Sequence, residues 1–114
     1  MTKRGTPIDL CAADEVVPSV ILCKRVAGGR IALTRLPEGD VVAFGAQCPH
    51  LNGPLWAGRI RGAEVICPWH GFRFDLRTGK PPGMDSIMTL PRYAVEIHEG
   101  RVFVDTSAMQ EGNP

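Results

Sequence analysis

An all-β fold, built of antiparallel sheets around a small irregular insertion, is predicted by three features of this sequence. Apolar and polar residues alternate near the C-terminal end, in Tyr93–His98 and Arg101–Asp105, and β-rich runs fill the N-terminal part. The 13 Gly and 10 Pro in 114 residues fall between these runs, where turns need them. From Ala46 to about Met88 the pattern breaks into short apolar pieces separated by Pro and Gly.

Taken in order, Thr6–Cys11 reads as a first strand and Ala12–Glu15 as a short helical turn. Ser19–Val26 and Arg30–Leu36 form a hairpin across Ala27-Gly28-Gly29, and Pro37-Glu38-Gly39-Asp40 turns the chain into Val41–Gly45. Within the insertion, Arg59–Arg61, Glu64–Cys67 and Arg73–Asp75 are short apolar pieces. Tyr93–His98 then places Tyr93, Val95 and Ile97 on one face and Ala94, Glu96 and His98 on the other, with Glu99-Gly100 leading into Arg101–Asp105. His98, beside Glu96, reads as a solvated side chain. This gives one domain over 1–114, with a β body at about 6–44 and 87–106, a subdomain inserted at about 45–86, and a frayed tail at 107–114.

Charge excludes some functions. Thirteen basic and 12 acidic residues leave a formal +1, without the basic footprint of a nucleic-acid binder or a polybasic run for a membrane surface. Met1–Gly5 starts like an export signal, but Asp9, Asp14 and Glu15 interrupt the only candidate apolar stretch beside it, and no segment approaches the roughly 20 apolar residues of a membrane helix. A soluble, cytoplasmic protein with no membrane association is expected. There, cysteines read as metal ligands rather than disulfides. Cys11 and Cys23 lack metal-spaced partners, lie in strand-like runs and are expected to be small core residues.

The chemistry lies in the insertion. Cys48-Pro49-His50 is followed, after 16 residues, by Cys67-Pro68-Trp69-His70. Each segment offers a thiolate and an imidazole on one tight loop, restricted by proline, while Gly53 and Gly71 allow close backbone approach. Two such loops can enclose a small iron–sulfur cluster. A zinc site is the alternative, although zinc motifs more often pair Cys with Cys and His with His.

These loops, with Cys48-Pro-His-Leu-Asn-Gly-Pro-Leu55 and Cys67-Pro-Trp-His-Gly-Phe-Arg-Phe-Asp75, resemble the Rieske family, as do Leu10-Cys-Ala-Ala-Asp-Glu15 and Gly100-Arg-Val-Phe-Val104. The resemblance implies a Rieske fold with one 2Fe–2S cluster, Cys48 and Cys67 on one iron and His50 and His70 on the other. Two ferric ions, two sulfides, two thiolates and two neutral imidazoles sum to zero charge, so an added electron meets less repulsion than in a four-cysteine cluster.

High-potential members carry a further cysteine in each loop, joined as a disulfide; Gly53 and Trp69 stand at those positions here. They also have a serine and a tyrosine that donate hydrogen bonds to cluster sulfurs, where this chain has Phe72 and Phe74. Loss of those donors destabilises the more negative reduced state. The chain therefore resembles the low-potential branch, toward the lower end of the roughly −150 to +300 mV Rieske range.

That branch implies a one-electron carrier, reduced by a flavin-containing reductase and oxidised by a terminal oxygenase through transient contacts near His50 and His70. A Rieske-type small subunit of a nitrite reductase or other multi-component reductase is the alternative, and a non-redox zinc module a further one. No nucleophile–base pair or open catalytic metal position is evident, so the chain itself is not expected to be an enzyme. Trp69 is expected to shield the cluster loop, and Pro81-Pro82-Gly83 resembles the family's covering proline loop. Arg59, Arg61, Arg73, Arg77 and Lys80 could steer an acidic partner.

Overall fold

Side-chain alternation on two central strands divides the molecule into a body and a cap. The computed structural model describes residues 7–26, 29–49, 52–69, 71–82 and 89–109, with 106–109 described through their backbone alone. Among these residues the strands are β1 (Ile8–Ala12), β2 (Leu22–Val26), β3 (Gly29–Arg35), β4 (Val41–Gly45), β5 (Arg59–Arg61), β6 (Glu64–Ile66), β7 (Arg73–Asp75), β8 (Arg92–His98) and β9 (Arg101–Met109). Six form one antiparallel sheet in the order β1-β9-β8-β4-β3-β2, and the inserted three form a second, β5-β6-β7.

On β3 and β4 both faces are covered. Ile31, Leu33, Val41 and Ala43 join Cys11, Val16, Val102 and Val104 in one core. Their neighbours Ala32 and Phe44 lie in a second core with Leu36, Ala46, Leu55, Val65, Phe74, Leu76 and Leu90. The period of two thus sends alternate residues of the same strands into different cores. Full burial of a side chain the size of Phe44 or Phe74 contributes about 1.5–3 kcal/mol.

The large sheet curls. β1 and β2 lie at opposite ends of its strand order, yet Glu15, just after β1, reaches Lys24 of β2 at 3.7 Å. Arg35 fixes the intervening segment: its guanidinium donates to the carbonyls of Val16 (2.8 Å), Gly39 (2.8 Å) and Ala13 (2.9 Å). Thr34 adds a bond from its hydroxyl to the Val20 carbonyl at 2.7 Å.

Turn chemistry closes the hairpins. Glu99 (φ 50°) and Gly100 (φ 78°) occupy the β8–β9 turn, both left-handed as a type I′ turn requires. The short helical turn lies at Ala13–Glu15, and the segment from Leu36 to Asp40 closes with Leu36 N–H donating to the Asp40 carbonyl at 2.8 Å.

Several expectations change. β2 begins at Leu22 rather than Ser19, because Ser19 takes a left-handed conformation (φ 68°) that a strand cannot use. β9 continues to Met109, where Tyr93 pairs with Met109, so pairing runs past residue 106 into the segment expected to fray. Tyr93 and Val95 pack on the body core, but Ile97 on the same face is 46% exposed, beyond the reach of that core. Cys11 is buried as expected, whereas Cys23, on edge strand β2, is only half-buried. Residues 27–28 of the β2–β3 connection lie outside the described residues.

Candidate metal centre

The two cysteine loops hang from the cap side of the body. The first follows β4: Gln47 bridges to Pro54, Trp56 N–H donates to the Ala46 carbonyl at 3.1 Å, and Cys48 N–H to the Gly53 carbonyl at 2.9 Å. Asn52 N–H returns to the Cys48 carbonyl at 2.6 Å, with Asn52 in a left-handed conformation (φ 59°) that asparagine tolerates. The second loop is the β6–β7 tip, closed by Cys67 N–H donating to the Phe72 carbonyl at 2.8 Å. Each loop is therefore set by its own backbone bonds.

Both thiols point inward. Cys48 and Cys67 are 1% exposed, belong to one core, and form no disulfide with each other. Trp69 N–H donates to Cys67 Sγ at 3.4 Å. This places a backbone donor on the sulfur, as hydrogen bonds to cluster ligands do. His50 and His70 lie outside the described residues, as do Leu51 and Gly83.

The loops meet at Gly53. A Cβ built there would lie 3.0 Å from Cys67 Sγ and 3.0 Å from Cδ2 and Cε3 of Trp69. Gly53 thus has the close-approach role expected of it. Gly71 is different: among the described residues nothing lies within 4 Å of a Cβ built there, and it is the backbone conformation (φ 66°) that calls for glycine. Gly58, not singled out in the sequence, is the tighter position, since a Cβ there would collide with the Ile66 carbonyl. A single glycine after a short helical turn gives no sign of that contact.

Phe72 and Phe74, the two positions lacking a hydroxyl, pack edge to face with centroids 5.2 Å apart, and Phe74 is fully buried. Trp69 is 47% exposed, so it covers one side of the loop junction and leaves its outer face to solvent. Pro81 is buried and Pro82 half-buried. Of the five basic residues, Arg73 pairs with Glu64 (3.3 Å) and Arg77 with Glu38 (2.7 Å); among the described residues no carboxylate pairs with Arg59, Arg61 or Lys80. His98 is exposed beside Glu96 at 3.2 Å.

Outside the site, burial pushes the Cys11 thiol above its ordinary range, and the charge of Glu15 adds to this. Among the described residues no helix is long and apolar enough to cross a membrane.

Comparison with known proteins gives a consistent picture. A family model for the Rieske [2Fe-2S] domain matches residues 6–94. The ferredoxin component of the p-cumate 2,3-dioxygenase system of Pseudomonas putida is 33% identical, the alignment covering 89% of this chain and 86% of that protein. The structure of a reduced oxygenase with oxidized ferredoxin in carbazole 1,9a-dioxygenase contains a chain of 30% identity and TM-score 0.76, with 87% and 92% of the two chains covered. A candidate small subunit of an NADH-dependent nitrite reductase from Mycobacterium tuberculosis is 25% identical, with TM-score 0.77 and 90% and 96% covered.

Proposed function

Because the chain belongs to the Rieske [2Fe–2S] family, we propose that its cluster is held by Cys48, His50, Cys67 and His70 and serves a ferredoxin of an oxygenase system. The family places one Rieske-type 2Fe–2S cluster in the chain, and its relatives make it an electron carrier rather than an enzyme. One observation carries the ligand reading: two loops from different parts of the chain bury two cysteines in one core and touch beside Cys67 Sγ. The donor set fits, because thiolates suit iron–sulfur centres and the family's ligand spacing supplies one imidazole from each loop.

When bound, the cluster takes up and releases one electron. The protein positions and protects that centre. Cys48 and Cys67 would hold one iron from the buried side, and His50 and His70 the other. The N–H of Trp69 donates to Cys67 Sγ, while the Phe72 and Phe74 side chains carry no hydroxyl to donate, which supports a potential in the low part of the Rieske range.

Electrons would arrive from a flavin-containing reductase and leave to a terminal oxygenase, in a cytoplasmic system, through transient contacts near His50 and His70. The p-cumate relative and the carbazole complex support the oxygenase side. Arg59, Arg61 and Lys80 remain as charges that could steer an acidic partner. Similarity to the nitrite reductase subunit keeps a second reading, in which the chain co-purifies with a large reductase subunit.

The test is an EPR-monitored redox titration of anaerobically handled protein, alone and as His70→Ser. A reversible one-electron Rieske signal at low potential, abolished or strongly altered in the variant, is expected. An unchanged spectrum would remove His70 from the ligand set, and a potential well above zero would overturn the argument from Phe72 and Phe74.

A further inference from the structure

We propose that the Trp69 indole, seated on Gly53, is the clasp that holds the two ligand loops together and sets water access to the Cys67 side of the cluster. The clasp rests on the proposed ligand set. Each loop is closed within itself, the first by Cys48 and Gly53, the second by Cys67 and Phe72. Among the described residues no backbone hydrogen bond joins one loop to the other.

Among the described residues, the side-chain contact at Gly53 is a direct link between them. The glycine lets the edge of the indole and Cys67 Sγ reach the same point of the first loop, each 3.0 Å from where a Cβ would stand. The backbone N–H of Trp69 itself donates to Cys67 Sγ, so the ring position and the sulfur's hydrogen bond belong to one conformation of residues 67–69. With its outer face 47% exposed, the indole forms a wall between solvent and the junction rather than part of the deep core. Trp69 is thus a positioning residue: it acts on Cys67 and on hydration and takes no part in ligation.

The potential should respond to this wall. Removing the ring admits water beside Cys67, and water stabilises the more negative reduced state, so the potential should rise. Loss of the contact should also free the loops. Removing a half-exposed ring forfeits only part of the roughly 1.5–3 kcal/mol of a fully buried large side chain, and about 1.4 kcal/mol corresponds to tenfold faster loss of the cluster to a chelator.

The test uses cluster-loaded full-length protein as parent, Trp69→Ala, Trp69→Phe and Gly53→Ala. It reads the midpoint potential by EPR-monitored titration, cluster release to EDTA by visible absorbance, and thermal unfolding by circular dichroism. Trp69→Ala is expected to raise the potential and release its cluster about tenfold faster, with Trp69→Phe restoring most of both. Gly53→Ala, which forces the indole off its seat, should shift both in the same direction. A parental potential in Trp69→Ala, even with a lower unfolding temperature, overturns the clasp, as does a Trp69→Phe variant no better than alanine. If Gly53→Ala takes up no cluster, the two Trp69 variants decide. A parent without a Rieske signal would overturn the ligand reading and the clasp with it; a normal parent signal with silent variants overturns the clasp alone.

Discussion

In the body, strands of five to nine residues pair in extended registers, and side chains at every second position meet in a shared core. In the cap, each strand has three residues, and the chain between them is shaped by single backbone bonds and by glycines at fixed points. The body uses repetition, so a local change is averaged over many similar contacts. The cap uses individual contacts, each without a substitute. Sites that must place ligand atoms accurately gain from the second arrangement, but only when a scaffold of the first kind supports it.

Breaking the cap core gives the largest effect. Phe74→Ala removes a fully buried ring between the small sheet and β4, and should cost about 3–5 kcal/mol. Visible absorbance and urea unfolding should show the cluster lost before the body's far-ultraviolet signal. Loss of both together would mean that cap and body unfold as one unit.

Arg35→Ala tests the body separately. It removes three bonds to backbone carbonyls, and should lower stability by about 2 kcal/mol in urea unfolding. The midpoint potential should stay at the parental value, since Arg35 touches neither ligand loop. A shifted potential would show that strain in the body reaches the site.

The smallest effect concerns the ion pair between the two regions. Arg77 donates to both carboxylate oxygens of Glu38, at 3.0 and 2.7 Å, and these bonds hold the Glu38 carboxyl below its ordinary value. A folded-state value below the unfolded one, about 4.3, contributes stability that is complete above the unfolded value and lost as pH falls through the folded one. The difference in stability between parent and Arg77→Ala should therefore be constant near neutrality and shrink below about pH 4. Both groups are exposed, so the difference is small throughout. A gap that widens on acidification would contradict the assignment.

These two regions were also unequally legible in the sequence. Val41–Gly45 and Arg101–Asp105 could be read from composition and alternation, because the body obeys a period of two. The β8–β9 turn was visible in Glu99-Gly100, since glycine marks the left-handed position. Ligand candidates were visible through spacing, and Cys48 and Cys67 do lie in one core. What sequence could not show were contacts between distant segments: Gly58 against the Ile66 carbonyl, Arg35 on three carbonyls, and the Arg30 guanidinium 4.5 Å above the Trp56 ring. Those depend on how segments pack, and no local pattern encodes them. The partial exposure of Cys23 is of the same kind, because the sequence of β2 does not say that it is an edge strand.

β3 and β4 serve as a party wall, with Phe44 and Ala32 on the same side as both cysteines. Lifting the cap from the body would open that core to water, and Leu90, at the return to β8, would be stripped with it. The cap is therefore not a head on a swivel. Any reorientation of the cysteine loops toward a partner would therefore carry the β body with it, as a single rigid piece.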